Sequence, residues 1–259
     1  MNNSGTHTRS GLVVRPVRFT EDVAAMRSFL ETLGLAPRVE AESGSWVDMV
    51  AGGGMVALHD AASSGTGGAH GQTRLSFEAD DVDALAGSLK EAGFADATVH
   101  DENYGRILTV TDPLGDFVVD ERSGDLYGYR LHDIDRANKA WRVVPVRFTD
   151  EGPAYAGFLH ALGLTGEPND SYATFAASGG EHGYVGVHHV YDENLPIVAG
   201  PGAASHLTFT TAEDLEQVAD RLREAGHTDV SITREEFGAF ITVTDTDGQE
   251  VQVHELPSQ

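Results

Sequence analysis

Short segments of this chain recur 129 residues apart, and this repeat limits the fold more than any other feature. A chain of 259 residues is long enough for two domains of ordinary size, and each half can bury its own core. The repeated features are PVRFT at 16–20 and 145–149, LGL at 33–35 and 162–164, and a histidine that ends an apolar stretch, His59 and His188. The sequence therefore predicts two similar domains.

Each half divides again into two units of one strand, one helix and three strands. In the first unit, the β-branched stretch LVVRPVRFT predicts a strand, and apolar residues in 21–35 recur at helical spacing up to Gly34, a helix stop. The stretch TRLSFEA and the helix pattern DDVDALAGSLKEAG begin a second unit. We therefore predict two-unit domains over 11–122 and 141–256, joined by a linker over 123–140.

The charge of the chain limits its partners. It has 41 acidic and 17 basic residues and a net charge of −24, which repels phosphates and anionic membranes and favours a neutral or cationic small molecule. Cysteine is absent, and the sequence has neither a signal-like beginning nor about 18 consecutive apolar residues. These features predict a cytoplasmic protein that binds neither nucleic acid nor membrane.

The segments FLETLGL, TRLSFEADDVDALAGSLKEAG and DPLGD, in this order and spacing, resemble the vicinal oxygen chelate superfamily. This superfamily includes glyoxalase I, extradiol dioxygenases and bleomycin-resistance proteins, and the resemblance covers nearly all of the chain outside its ends and the linker. It implies an α+β fold in which four βαβββ modules pair into two cup-shaped mixed β-sheet domains, with helices on the outside.

The resemblance also implies four metal-ligand positions on the floor of each cup. In the first half they fall near Arg15 or Pro16, on or beside His59, on Arg74 and near Val119. In the second half they fall near Val144 or Pro145, on or beside His188, on His206 and on Gln252. Only His59 of the first set binds metals well, and the second set lacks a carboxylate. No cofactor is expected, and a divalent ion at His188, His206 and Gln252 is the alternative.

Nine residues are candidates for ligand contact in the cups. Each histidine strand carries a small residue two positions before its histidine, Ala57 or Gly186, which leaves space for a ligand. The candidates are Trp46, His59, Arg74, Tyr104, Tyr172, His188, His206, Phe237 and Gln252. By strand alternation, Trp46 shares a face with Asp48 and Tyr172 with Thr174. The structural alternatives are histidines bonded to loops, Arg74 in an ion pair, and core aromatic rings.

These observations leave several functions open, and no catalytic residue is identified. The leading hypothesis is a glyoxalase- or bleomycin-resistance-like monomer with internal pseudo-twofold symmetry that binds a small organic molecule, such as a cationic metabolite or antibiotic. The alternative is a metal-dependent lyase, isomerase or dioxygenase with one active site in the second half. In a third possibility, the first cup is filled by its own side chains and only the second is a site.

Overall fold

A computed structural model describes most of the chain, namely residues 11–65, 67–103, 105–121, 128–191, 205–236 and 238–256. Two predicted site residues, Tyr104 and Phe237, lie outside the described residues. The first half contains β1 (Val13–Val14), β2 (Val17–Thr20), α1 (Val23–Thr32), β3 (Ala36–Ala41), β4 (Trp46–Val50), β5 (Met55–Asp60), β6 (Thr73–Arg74), β7 (Ser76–Ala79), α2 (Val82–Glu91), β8 (Thr98–Glu102), β9 (Gly105–Asp112), β10 (Gly115–Glu121) and β11 (Tyr129–Leu131).

The second half repeats this order with small differences. It contains β12 (Trp141–Val143), β13 (Val146–Phe148), α3 (Gly152–Ala161), β14 (Tyr172–Ala176), β15 (Tyr184–His188), β16 (Ser205–His206), β17 (Thr208–Thr211), α4 (Leu215–Glu224), β18 (Ser231–Glu235), β19 (Gly238–Thr244) and β20 (Glu250–Glu255). Between α3 and β14, the strand that β3 provides in the first half is represented by a single bridge from Thr165 to Ala176.

The strands form four mixed sheets, one for each module. Their orders are β11-β3-β4-β5-β2-β6, β1-β7-β10-β9-β8, β14-β15-β13-β16 and β12-β17-β20-β19-β18. Each module has one parallel pair, and these pairs are β2/β5, β7/β10, β13/β15 and β17/β20. The α+β fold of four paired modules that the sequence predicts is therefore confirmed.

The first strand of every module is split, and its leading part joins the sheet of the other module in the same half. Thus β1 pairs with β7 and β6 pairs with β2, while β12 pairs with β17 and β16 pairs with β13. Pro16 and Pro145 mark the split in two of these strands, because proline cannot donate a ladder hydrogen bond. This exchange of strands holds the two sheets of each half together.

The predicted linker also contributes to the first half. Its residues Tyr129–Leu131 form β11, which pairs antiparallel with β3 and adds an edge strand to the first sheet. Pairing in a strand ladder requires only backbone groups, so the polar sequence around β11 carries no periodic signal.

The helices cover one face of each sheet, and the opposite face is left for the cups. In β4, Val47 and Met49 belong to the core beneath α1, whereas Trp46 and Asp48 point to the other face. Two cores result, and each combines modules of both halves. One core joins the first and fourth modules and includes Phe29, Met49, Leu222 and Ile241, and the other joins the second and third and includes Phe77, Leu89, Phe158 and Phe175.

The halves meet about a pseudo-twofold axis near two glycines. A Cβ at Gly54 would lie 3.4 Å from Cα of Gly183, and a Cβ at Gly183 would lie 3.2 Å from Cα of Gly54. Both residues have positive φ, 83° and 91°, so glycine is required for the conformation as well as for the close approach. These two positions are 129 residues apart, which is the spacing of the sequence repeat.

Two buried ion pairs join the halves at corresponding positions. Arg18 Nη2 lies 2.8 Å from Asp245 Oδ2, and Arg147 Nη2 lies 3.6 Å from Asp112 Oδ2. Each arginine comes from a PVRFT segment, and each aspartate begins the turn before the last strand of a module in the other half. The repeated segments therefore form equivalent contacts on both sides of the axis.

None of the helices in the described segments is long and apolar enough to span a bilayer.

Candidate functional site

A cavity of about 1450 Å³ lies between the two sheets of the first half, and we call it the first cup. Its lining residues come from strands of both modules. They include Val17, Phe19, Trp46, Asp48 and His59 from the first module and Ser76, Glu78, Ile107, Thr109, Val118 and Asp120 from the second. The possibility that side chains fill this cup is therefore wrong: the side chains at its floor pair with one another and leave the space above them open.

A network of charges forms the floor of the first cup around Arg15, which is 3% exposed. Arg15 Nη1 lies 3.3 Å from Asp48 Oδ1 and 3.8 Å from Glu78 Oε2, and Arg15 Nη2 pairs with Asp120. Arg38 binds the same Asp48 at 2.9 Å and also pairs with Glu78. Two guanidinium groups thus face three carboxylates, which leaves the floor with one net negative charge. Burial of these groups is tolerated because each charge has a partner.

His59 lies among aromatic rings beside this floor. Its ring centroid is 5.6 Å from that of Phe19 and 5.4 Å from that of Trp46, whose ring is nearly perpendicular. His59 Nδ1 lies 2.8 Å from the carbonyl oxygen of Asp60. Because a carbonyl only accepts, Nδ1 must carry the proton, and in the neutral ring Nε2 is then the hydrogen-bond acceptor.

His188 has the same arrangement in the second half. Its ring lies 5.2 Å from Phe148 and 5.8 Å from Tyr172, and its Nδ1 donates to the carbonyl oxygen of His189 at 2.6 Å. The two histidines that recur in the sequence therefore share two ring contacts and a bond to the carbonyl of the next residue, as the alternative of histidines bonded to backbone predicts. Ligand binding by either histidine stays a prediction.

The rim of the first cup carries another cation. The guanidinium carbon of Arg74 lies 5.1 Å from the centroid of Phe19, and Nη2 donates to the carbonyl oxygen of Gly67 at 3.3 Å. Arg15 lies similarly over Trp46, with a separation of 5.4 Å. The cup thus combines aromatic rings with fixed cations and carboxylates.

The floor of the second cup carries His206, Thr208, Gln252 and His254 on one face. His206 Nε2 donates to the carbonyl oxygen of Glu250 at 2.8 Å, and its Nδ1 lies 3.2 Å from Thr208 Oγ1. The amide nitrogen of Gln252 donates to Glu250 Oε1 at 2.8 Å, and its oxygen lies 3.1 Å from His254 Nε2. Desolvation by burial lowers the pKa of His206 and of His254 below the ordinary histidine value. These four side chains of the floor therefore all have hydrogen-bond partners.

Sheet register corrects one predicted position. Thr208 pairs with Gln252 in the fourth module, and the equivalent Ser76 pairs with Val118, so the counterpart of Gln252 is Val118 rather than Val119. Val119 is fully buried in the core beneath α2. The turn after β9 is shorter than the turn after β19, because Asp112 pairs with Gly115 but Thr244 pairs with Glu250. This difference changes which residues face the cup.

The residues at the implied metal positions do not fit a divalent ion. In the first cup, Arg15 and Arg74 are cations and Val118 is apolar, so only His59 offers a ligand. In the second cup, both ring nitrogens of His206 already have partners, and the position equivalent to Arg15 is the apolar Val144. Two histidines and an amide without a carboxylate also leave the ion's charge uncompensated.

One acidic group in the described part of the chain has metal-like spacing, and of its three members only Glu121 lines the first cup. Ligand atoms of Asp81, Asp83 and Glu121 lie within 4.8 Å of one another. Asp81 caps α2 by accepting from the amide of Ala84 at 2.8 Å, and Glu121 accepts from the amide of Val82 at 3.2 Å. These carboxylates satisfy free amides at the helix start, which explains their proximity.

Sequence reasoning missed most of the charged floor and one histidine. The missed residues are Arg38, Asp48 as an ion-pair partner, Glu78, Asp120 and His254. Alternation was the available signal: it correctly put Asp48 on the face of Trp46, and the same rule puts Glu78 on the face of Ser76. No local pattern shows that these strands bring their carboxylates to one arginine.

Solved structures with similar folds include a glyoxalase and two dioxygenases. The Mn(II)-bound glyoxalase from Novosphingobium aromaticivorans has 18% identity and a TM-score of 0.59, with 95% of this chain and 82% of that chain covered. A catechol 2,3-dioxygenase has 14% identity and a TM-score of 0.59, with 95% and 89% covered. Homoprotocatechuate 2,3-dioxygenase from Arthrobacter globiformis has 14% identity and a TM-score of 0.58, with 94% and 78% covered.

The comparisons identify the fold class. No protein-family model matches the sequence, and no curated protein is similar to it in sequence. Similarity to the solved structures extends over nearly the whole chain at low identity. Such similarity defines the fold, whereas the chemistry has to be argued from the residues of the site. The chain has the vicinal oxygen chelate fold, so the fold that the sequence resemblance implies is confirmed.

Proposed function

We propose that this protein binds a small, cationic organic molecule in the first cup, in the manner of the glyoxalase and bleomycin-resistance group. The observation that carries the proposal is the open cavity of about 1450 Å³ above a floor with one net negative charge. Small-molecule sites are typically about 300–1000 Å³, so the first cup has room for a metabolite-sized ligand.

The lining supports a ligand with both an apolar ring and a positive group. Phe19 and Trp46 offer flat apolar surfaces, which favour planar ligands. Asp120 is the carboxylate of the floor network that is most exposed to the cup, with a side chain 23% exposed against 4% for Asp48 and Glu78. A ligand cation beside Asp120 would compensate the excess charge of the floor.

Arg15 explains why we favour binding without a resident metal in this cup. Its guanidinium stands at an implied ligand position and already neutralises carboxylates that would otherwise attract an ion. A metal-dependent reaction in the second cup has less support, because His206 and Gln252 are bonded to other protein groups.

We propose further that residues 11–122 and 141–256 are two domains of a monomer, joined through 123–140. The ion pairs Arg18–Asp245 and Arg147–Asp112 support this arrangement, because both halves of the pseudo-twofold contact come from one chain. Because the halves are covalently linked, each half meets the other at an effective concentration of roughly millimolar, which favours their association within one chain.

Calorimetric titration with two matched probes tests the proposed function. Tryptamine is a planar cation and indole-3-acetate is its anionic counterpart. We expect tryptamine to bind at least about tenfold more tightly, which corresponds to about 1.4 kcal/mol. Asp120→Asn should abolish this preference, because it removes the excess charge and keeps the side-chain shape. The control Asp220→Asn, on exposed α4, should retain it. Absence of tryptamine binding, or equal binding of both probes, would contradict the proposal.

A further inference from the structure

The equivalent histidines differ in one neighbouring ring. His188 contacts Phe148 and Tyr172, and also Tyr191, whose ring is nearly perpendicular at 5.8 Å between centroids. Among the described residues, His59 contacts only the equivalents of the first two rings, Phe19 and Trp46.

The sequence after each histidine explains this difference. Tyr191 lies three residues after His188, and the residue three positions after His59 is Ala62, in a short turn of 3₁₀ helix over Ala61–Ser63. Tyr191 also contacts the ring of His189 at 4.8 Å, which helps to fix its place. No third ring among the described residues of the first half covers His59, and the cavity of the first cup reaches His59 instead.

From these contacts we propose that a ring of the ligand contacts His59 in the same way that Tyr191 contacts His188. This inference rests on the proposed function and narrows its ligand class. Edge-to-face contact between rings at 4.5–7 Å is favourable beyond the area that it buries, so the third contact of His188 is one that a ligand can reproduce.

The hydrogen bond of His59 Nδ1 specifies a polar group on that ring. His59 Nδ1 donates to the carbonyl of Asp60, so the neutral imidazole presents Nε2 as an acceptor only. A ring N–H or O–H satisfies this acceptor, whereas a ring that carries only acceptors leaves it without a partner. The ligand class is therefore a planar ring that carries an N–H or O–H donor, together with a cationic group.

Two indole probes that differ only at the ring nitrogen test this inference. Tryptamine has the ring N–H, and 1-methyltryptamine has a methyl group in its place. We expect wild-type protein to bind tryptamine about tenfold more tightly by calorimetric titration, because the methylated probe leaves His59 Nε2 unpaired. His59→Phe keeps an aromatic ring and removes the acceptor, so it should bind both probes with equal affinity.

The second half supplies the matched control. His188→Phe changes the equivalent residue in the other cup and should keep the full preference for tryptamine over 1-methyltryptamine. Equal affinities in the wild type, or a preference lost in His188→Phe but kept in His59→Phe, would overturn the inference. Its failure is distinguishable from failure of the proposed function, since the preference for tryptamine over indole-3-acetate depends on Asp120 and not on the ring nitrogen.

Discussion

The two cups share one backbone frame and have different floors. Strand register aligns four positions of the charged network in the first cup with neutral residues in the second. The aligned pairs are Arg15 with Val144, Asp48 with Thr174, Glu78 with Thr210 and Asp120 with His254. The helix-facing sides of the same strands remain apolar in both halves. Within one strand, the residues that face the helices thus determine the fold, and the alternating residues that face the cup determine the chemistry of the site.

The two floors satisfy their polar groups by different means. Arg15, Arg38 and their carboxylates compensate one another as charges. Removal of Arg15 takes away the arginine partner of Asp120 and one of the two arginine partners of Asp48 and Glu78, which leaves excess buried negative charge. In the second cup, His206 and Gln252 form bonds in which the histidine ring is neutral. Thr210 Oγ1, the counterpart of Glu78, is buried without a hydrogen-bond partner among the described residues. The cups should therefore respond differently to substitution and to pH.

The largest difference in the free energy of unfolding is expected between substitutions at Arg15 and at Val144, the first aligned pair. Arg15→Ala leaves Asp120 without its Arg15 partner and leaves Arg38 alone to compensate Asp48 and Glu78, and we expect a loss of about 3–5 kcal/mol in the free energy of unfolding. Val144→Ala removes only buried methyl groups, and its cost should be about 2 kcal/mol or less. Urea denaturation of the two variants measures both values, and equal losses would show that the charged floor is not more sensitive than the neutral one.

A smaller contrast is expected between the ion pairs that join the halves. The Arg18 side chain is 2% exposed and that of Arg147 is 14% exposed, and the Arg18–Asp245 pair is shorter. Asp245→Asn should therefore reduce the free energy of unfolding by about 3 kcal/mol, because it leaves a buried guanidinium without its counterion. Asp112→Asn should cost about half as much, since Arg147 is closer to water. The reverse order would contradict this ranking of the two contacts.

The smallest expected effect is a difference between the cups in how the free energy of unfolding depends on pH. Burial lowers the pKa of His206 and His254, so each contributes stability that is present above the ordinary histidine pKa, near 6.5, and is lost as the pH falls toward the lowered folded value. The slope is at most about 1.4 kcal/mol per pH unit for each histidine. Burial instead raises the pKa of Asp112 and Asp245, so these two groups act in the opposite direction.

His206→Gln isolates this contribution, because glutamine retains an N–H donor but does not titrate in this range. Between pH 7.0 and 5.5, the free energy of unfolding of this variant should fall less than that of the wild type. The exposed His100→Gln serves as the control and should keep the wild-type slope. Identical slopes for all three proteins would mean that His206 is not held neutral by burial.

The sequence predicts the frame of this molecule better than its sites. The recurrence of PVRFT and LGL and the helix stop at Gly34 are local signals, so the modules, their order and the superfamily resemblance follow from them. Alternation likewise predicts that Trp46 and Asp48 share a face. The exchange of β1 and β6 between sheets and the pairing of β11 with β3 depend on backbone contacts between distant segments, which leave no periodic pattern.

The charged floor was missed for a related reason. Asp48, Glu78 and Asp120 lie on three strands of two sheets, and Arg15 lies between β1 and β2. Each one alone has the sequence appearance of an exposed polar position. Val119 was assigned to the floor because the two turns before the last strands were aligned by sequence, whereas the tighter hairpin moves Val118 to that face. Ring contacts of Tyr191 with His188 also require tertiary structure, because two strands and a loop bring these rings together.

A crystal structure of the protein with saturating tryptamine tests most directly whether the first cup is the ligand site. We expect density for one indole in that cup, against His59 and Trp46, with the ammonium group beside Asp120 and the pairs of Arg15 intact. Density for the probe against His188 and His206 in the second half, with the first cup empty, would contradict the central claim.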